Sequence, residues 1–190
     1  QAFGLAPYSD YAVDAAKYLA MSQVKLGETN NAIQTYKQAI QMHPDNDTLY
    51  AELGNLFFGQ ERTGEAITAY ENAVRIYDDG NNRFSLGQAY LKSGRNEDAA
   101  TQFSKVIELN QSSGNGYFGL GQALAAQKKY PQAIEQFERA VQKDKEFYDA
   151  HAEMGYTYAD AGNLEKATEI QKFLEDKDGS QAGTLKEYID

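Results

Sequence analysis

Ala20, Gly54, Gly87, Gly121 and Gly155 stand 34, 33, 34 and 34 residues apart. Ala32, Ala66, Ala99, Ala133 and Ala167 repeat those intervals, always twelve residues later. A fixed period between about 20 and 50 residues is the mark of a stacked repeat architecture, because each unit is too small to cover its own apolar face and must borrow its neighbour's. Small side chains recur where two segments approach closely. The two series therefore predict one crossing of two helices per repeat.

The residues between the series follow a helix-turn-helix plan. In the fourth unit, Tyr117, Leu120, Gly121 and Leu124 fall at i, i+3, i+4 and i+7, the stripe of one amphipathic helix. Pro131 then sits where a first helical turn tolerates proline, and Ala133, Ile134, Phe137, Ala140 and Val141 form the stripe of a second helix. Leu53, Gly54, Phe57 before Ala66, Tyr70, Ala73, and Leu86, Gly87, Tyr90 before Ala99, Phe103, Val106, repeat the plan. Gly27, Gly94 and Gly162 mark turns five residues ahead of the second series.

These positions resemble the tetratricopeptide repeat, whose pattern is an aromatic, Leu-Gly, Tyr, Ala and Phe, closed by Pro. Tyr50, Leu53, Gly54, Phe57, Ala66, Tyr70 and Ala73 match nearly every diagnostic place, and Ala32, Tyr36, Ala39 and Pro44 complete the first unit. The resemblance spans residues 13–178 as five units and implies an all-α, right-handed α-solenoid of tandem helix-turn-helix repeats. Residues 1–12 are expected as an N-terminal arm and 179–190 as a C-terminal linker with a short amphipathic tail.

Departures concentrate at one junction and at the ends. The stretch Tyr77-Asp78-Asp79-Gly80-Asn81-Asn82 has lost a residue, which gives the single interval of 33. The fifth unit carries Gln171 where Phe or Tyr is expected. Asp176 to Gly183 reads as a polar, glycine-bearing linker, after which Thr184 and Glu187 have capping-box spacing and Leu185, Tyr188 and Ile189 share a helical face.

Composition narrows the functions available. With no cysteine, disulfides, thiolate metal sites and cysteine nucleophiles are excluded. A net charge of -10 disfavours nucleic acid and anionic membrane surfaces, which demand clustered Lys and Arg. No apolar run approaches the roughly 18 residues of a membrane span, so a soluble rather than membrane-embedded chain is expected. The compartment stays open between cytoplasm and export after signal removal. His43 and His151 lie far apart without a surrounding catalytic constellation, and no phosphate loop or zinc spacing occurs. The sequence therefore points to no enzyme and no cofactor.

The resemblance places the first helix of each pair along a concave groove. The residues just after the first series are Met21, Asn55, Gln88, Gln122 and Tyr156; three successive amides suit the backbone of an extended peptide, and suit ordinary solvated positions equally. Phe58, Phe84, Phe118 and Tyr156 on or beside that surface offer apolar pockets or packing between repeats. The family's basic clamp for a C-terminal carboxylate is not reproduced, because the matching places hold Lys17, Ala51, Phe84, Phe118 and Ala152. Glu52, Glu153, Asp149 and Asp160 near the groove favour a neutral or basic partner. Two functions are open: a non-catalytic scaffold holding a peptide or partner protein in the groove, or a self-assembling subunit of an oligomer or filament. The second rests on apolar Phe3, Leu5 and Tyr8 in the arm and on Leu185, Tyr188 and Ile189 in the tail.

Overall fold

The computed structural model describes the backbone of residues 6–190 and the side chains of residues 11–190. Among the described residues every regular element is a helix: α1 (Ala6–Lys25), α2 (Thr29–Met42), α3 (Asp47–Gly59), α4 (Thr63–Ile76), α5 (Gly80–Lys92), α6 (Asn96–Leu109), α7 (Gly114–Ala126), α8 (Tyr130–Lys143), α9 (Tyr148–Asp160), α10 (Leu164–Glu175) and α11 (Gly179–Ile189). The architecture is an all-α helical repeat solenoid. It divides inside α5 into two compact units, one ending at Ala89 and one running from Tyr90 to Asp190. In the first unit α1 packs on α2, α2 on α3 and α3 on α4; in the second, α6 to α11 pack successively and α11 returns against α9.

Turn geometry repeats with the period. Gly27, Gly94 and Gly162 adopt φ of 78°, 77° and 79°, the left-handed region that glycine enters without strain. The equivalent places in the second and fourth repeats hold Glu61 and Lys128, at φ of 61° and 60°. Each position closes the same motif, in which the next amide reaches back over the helix end: Glu28 N–H donates to Gln23 O (2.8 Å), Arg62 to Phe57 (2.9 Å) and Lys129 to Leu124 (2.9 Å). A left-handed L-residue costs about 1 kcal/mol, so Glu61 and Lys128 hold a shape dictated by the motif rather than by their own preference.

The two series of small residues meet different neighbours. Ala20, Ala32, Ala66, Ala99, Ala133 and Ala167 are fully buried. At Gly54, Gly121 and Gly155 the close approach comes from side chains. A Cβ on Gly54 would stand 2.6 Å from the Tyr70 ring, and one on Gly121 would stand 2.6 Å from Phe137. Both rings lie sixteen residues downstream, on the second helix of the same repeat. The Phe103 ring similarly fills the space beside Gly119, 2.4 Å from a Cβ placed there.

The lost residue after Tyr77 is absorbed in the loop between α4 and α5. Asn82, in the first turn of α5, is buried and its side chain donates to Tyr77 O (3.0 Å) and to the Asp47 carboxylate (3.2 Å), while its backbone N–H donates to Asp79 Oδ1 (2.7 Å).

Both ends differ from the sequence reading. The helix α1 begins at Ala6, inside the stretch expected as an arm. Phe3, Leu5 and the side chain of Tyr8 lie outside the described residues. At the other end there is no linker: α11 starts at Gly179, because Asp178 accepts from Gln181 N–H at 3.1 Å and caps the helix. Thr184 is therefore a mid-helix residue whose hydroxyl donates to Ser180 O and Gln181 O, not a cap. Leu185 is fully buried, and its Cδ2 lies 2.5 Å from where a Gly155 Cβ would be. Counting sixteen from Gly155 reaches Gln171, so Leu185 occupies the place that the fifth repeat's missing ring would fill. Gln171 turns its amide to Glu175 instead (2.9 Å).

Two substitutions test the packing. Gly121→Leu is expected to lower stability by about 1–3 kcal/mol in urea unfolding, since Phe137 leaves no room for a side chain. Gln171→Phe is expected to expel Leu185, seen as faster proteolytic cleavage within α11 without loss of the helices before it; unchanged protection of α11 would contradict the substitution of Leu185 for the ring.

Candidate binding recess

In the second unit the first helices of the fourth and fifth repeats, α7 and α9, stand beside α11 and enclose a recess of about 340 Å³. Phe118 and Gln122 from α7, Asp149, Ala152, Glu153 and Tyr156 from α9, and Gln181 from α11 line it. Helical spacing explains the set: 118 and 122, and 149, 152, 153 and 156, are successive i, i+3 and i+4 neighbours that share a helix face. Phe118 is held from behind by Phe147 and Phe137, with ring centroids 4.9 and 6.0 Å away. Tyr156 is fixed edge-on against Tyr188 at 5.0 Å, and the Tyr188 hydroxyl donates to Asp160 at 2.6 Å.

The polar groups are linked across helices. Gln122 Nε2 donates to Glu153 Oε1 at 3.2 Å, and Gln181 Nε2 donates to Asp149 Oδ1. Burial raises the Glu153 carboxyl pKa above the ordinary range; the Gln122 hydrogen bond opposes the rise and the nearby Asp149 charge adds to it.

Three of the groove residues expected from sequence, Phe118, Gln122 and Tyr156, thus meet in one place. In the first unit the others are placed separately. Met21 and Asn55 are exposed, Lys17, Phe58, Phe84 and Gln88 half-buried. The Asn55 amide is engaged: its Oδ1 accepts from the Tyr70 hydroxyl (2.8 Å) and its Nδ2 donates to Glu52 (3.3 Å). Burial, with the Glu52 charge second, pushes the Tyr70 pKa up to about 12. Of the expected assembly residues, Leu185 is buried within its own chain, Ile189 packs partly against the same cluster, and Tyr188 is exposed but bonded to Asp160.

Sequence reasoning missed Gln181, because the stretch around it read as linker. Asp178 with Gln181 three residues later was the available signal, an N-cap pair six residues earlier than the Thr184 pair. It also missed a second concavity of about 280 Å³ in the first unit, between α2 and α4 over Phe57. Gly64, Thr68 and Asn72 leave that space by being small at i, i+4 and i+8, and Arg62 and Lys37 lie 4.5 and 5.8 Å from the Phe57 ring centroid. His151 keeps a structural position, stacked on Phe173 at 4.6 Å, with burial lowering its pKa. Among the described residues no group of three or more His, Asp or Glu is arranged to hold a metal ion, and no helix is long and apolar enough to cross a membrane.

Family models described as tetratricopeptide repeat or TPR repeat match residues 23–61, 47–79, 84–146 and 124–172. The chain is a tetratricopeptide repeat protein. A stretch of 87 residues is 29% identical to anaphase-promoting complex subunit 3 of Schizosaccharomyces pombe, covering 45% of this chain and 13% of that subunit. Among solved structures, YrrB, a TPR protein with an unusual peptide-binding site, is 26% identical with a TM-score of 0.71, covering 88% of each chain. MamA is 20% identical with a TM-score of 0.77, covering 90% of this chain and 94% of its own. A tetratricopeptide repeat protein from Parabacteroides merdae is 16% identical with a TM-score of 0.81, covering 92% and 69%. The last two likenesses establish the fold alone.

The electrostatics of the recess give a stability prediction. Because the folded-state pKa of Glu153 lies above its unfolded value, folding favours the protonated acid, so its contribution to stability grows as pH falls through that raised pKa. Glu153→Gln, which keeps an acceptor for Gln122, is expected to flatten this slope and to leave neutral-pH stability unchanged or higher. Urea midpoints across the acidic range measure it, and a clear loss of stability at neutral pH would contradict the burial argument.

Proposed function

We propose that this tetratricopeptide repeat protein is a non-catalytic interaction scaffold that holds an extended segment of a neutral or basic partner along the first helices of its repeats. The recess among α7, α9 and α11 carries the reading: it gathers aromatic, amide and carboxylate side chains from three helices into one opening. Its two carboxylates favour a partner without negative charge. The peptide-binding site of YrrB agrees with such a use of the fold. The engaged amide of Gln122 acts as part of a polar lining rather than as a free end.

Selection from a library of short random peptides, with amide NMR mapping of those retained, tests the proposal. Bound peptides are expected to shift resonances of α7 and α9 and to spare α8 and α10. Gln122→Ala is expected to weaken them by about tenfold, the loss of one hydrogen bond to a charged network. Footprints confined to α8 and α10 would rule out the first-helix surface.

Self-assembly is the second reading, and one observation favours it in altered form. The tail is used within its own chain, but α1 exposes Tyr11 and Tyr18, one above the other at a seven-residue interval, each with more than 70% of its surface open (74% and 73%). Pairing of two α1 faces fits this better than a head-to-tail contact through α11. Light scattering decides it: a dimer that Tyr18→Glu dissociates is the expected result, and a strict monomer at all concentrations excludes it.

A further inference from the structure

The recess has a chemical bias that the partner-binding reading by itself does not specify. Its lining holds two carboxylates and no cationic side chain. Each carboxylate spends one oxygen on an amide, Asp149 Oδ1 on Gln181 and Glu153 Oε1 on Gln122. Among the described residues no donor is bonded to Asp149 Oδ2 or Glu153 Oε2. Gln181 adds a third acceptor: its Nε2 is committed to Asp149, which fixes the amide orientation, and its Oε1 is buried without a partner. An acceptor already stripped of water gains from any donor that reaches it. The remaining walls are the rings of Phe118 and Tyr156 and the methyl of Ala152. A volume of about 340 Å³ lies at the low end of ligand pockets, which run from roughly 300 to 1,000 Å³, and suits one side chain better than a larger ligand.

We propose that this recess is a subsite for a single arginine side chain of the bound partner, with Asp149, Glu153 and Gln181 accepting from the guanidinium and Phe118 and Tyr156 flanking its plane. The inference rests on the reading of the first-helix surface as the partner-binding face. Arginine is the residue that fits, because its planar fork presents several N–H donors at once and its faces stack on aromatic rings, while lysine offers a compact charge without a face. Glu153 has the most to gain. A half-buried carboxylate without a cationic partner is held partly towards its protonated form, and an arriving guanidinium reverses that preference. Asp149 is the charge already acting on Glu153, α7 contributes no carboxylate or cation to the opposite wall, and α11 brings the Tyr188 phenol, which is bonded to Asp160.

The test is a 15N NMR titration of the full chain with N-acetyl-arginine N-methylamide and, in parallel, with the uncharged citrulline analogue of the same shape. Side-chain amide resonances of Gln122 and Gln181 are expected to move saturably with the arginine compound and little with the citrulline compound. Glu153→Gln is expected to weaken the arginine compound by at least about tenfold, and Asp149→Asn to do so independently. In the unaltered protein, affinity is expected to fall as pH drops through the raised Glu153 pKa, a readout that depends on no variant. Equal responses to the two compounds, or unchanged affinity in both variants, overturns the arginine subsite. If library-selected peptides lacking arginine then still map to α7 and α9, the partner-binding face survives; if no peptide maps there, both readings fall.

Discussion

Where Tyr70 and Phe137 lie against Gly54 and Gly121, even one methyl group on the glycine would stand 2.6 Å from the ring, so in these two repeats the helices close around a residue with no side chain. The ring in turn is almost fully buried, and the repeat's apolar contacts are arranged around it. This ring-on-glycine contact sets the crossing of the pair. The fully buried alanines of the second helix let that helix approach to the distance the ring requires. The turn between the helices must then adopt one shape, and it does so even where Glu61 and Lys128 have to enter the left-handed region to provide it.

In the fifth repeat the ring is missing from this contact, and the chain compensates. Gln171 cannot fill the space beside Gly155, and an empty volume there would cost stability in proportion to its size. Leu185 fills it from outside the repeat, which draws α11 against α9 and α10. The docked helix brings Gln181 beside Asp149 and Tyr188 beside Tyr156. One departure from the repeat pattern thus builds the third wall of the recess, and the self-assembly role expected for Leu185 gives way to a role within the chain.

The fold was legible because the constraint is periodic: a glycine, a ring sixteen residues on and an alanine between them recur in register, and coincidence does not produce that. Most of the recess was legible as well. Phe118, Gln122 and Tyr156 emerge from counting along the first helices, and Asp149 and Glu153 were visible as acids near the same surface. Gln181 was not, since the eight residues from Asp176 resemble a linker by composition, and only the docking of Leu185 makes a helix of them. Local signals competed there, with Asp178 and Gln181 offering one cap and Thr184 and Glu187 another. The first is the one formed: Asp178 caps α11, and Leu185 is buried two turns into it. The concavity over Phe57 escaped for a related reason: it is made by what Gly64, Thr68 and Asn72 lack, and absences of bulk on a second helix carry no pattern of their own.

The same geometry separates what the chain must keep from what it is free to vary. On a first helix the side that meets the second helix is committed to glycine and apolar residues, while the side facing the recess is free to carry polar and charged residues as well. In α9 that free side carries Asp149, Glu153 and Tyr156, and in α7 it carries Gln122. A carboxylate placed there at the protein surface would be a solvated charge of little consequence. Glu153 is different, because it is half-buried and bonded to Gln122 from the preceding repeat, which supplies no counter-ion. Its partial burial costs stability, and the arginine proposed for a partner would supply the missing counter-ion.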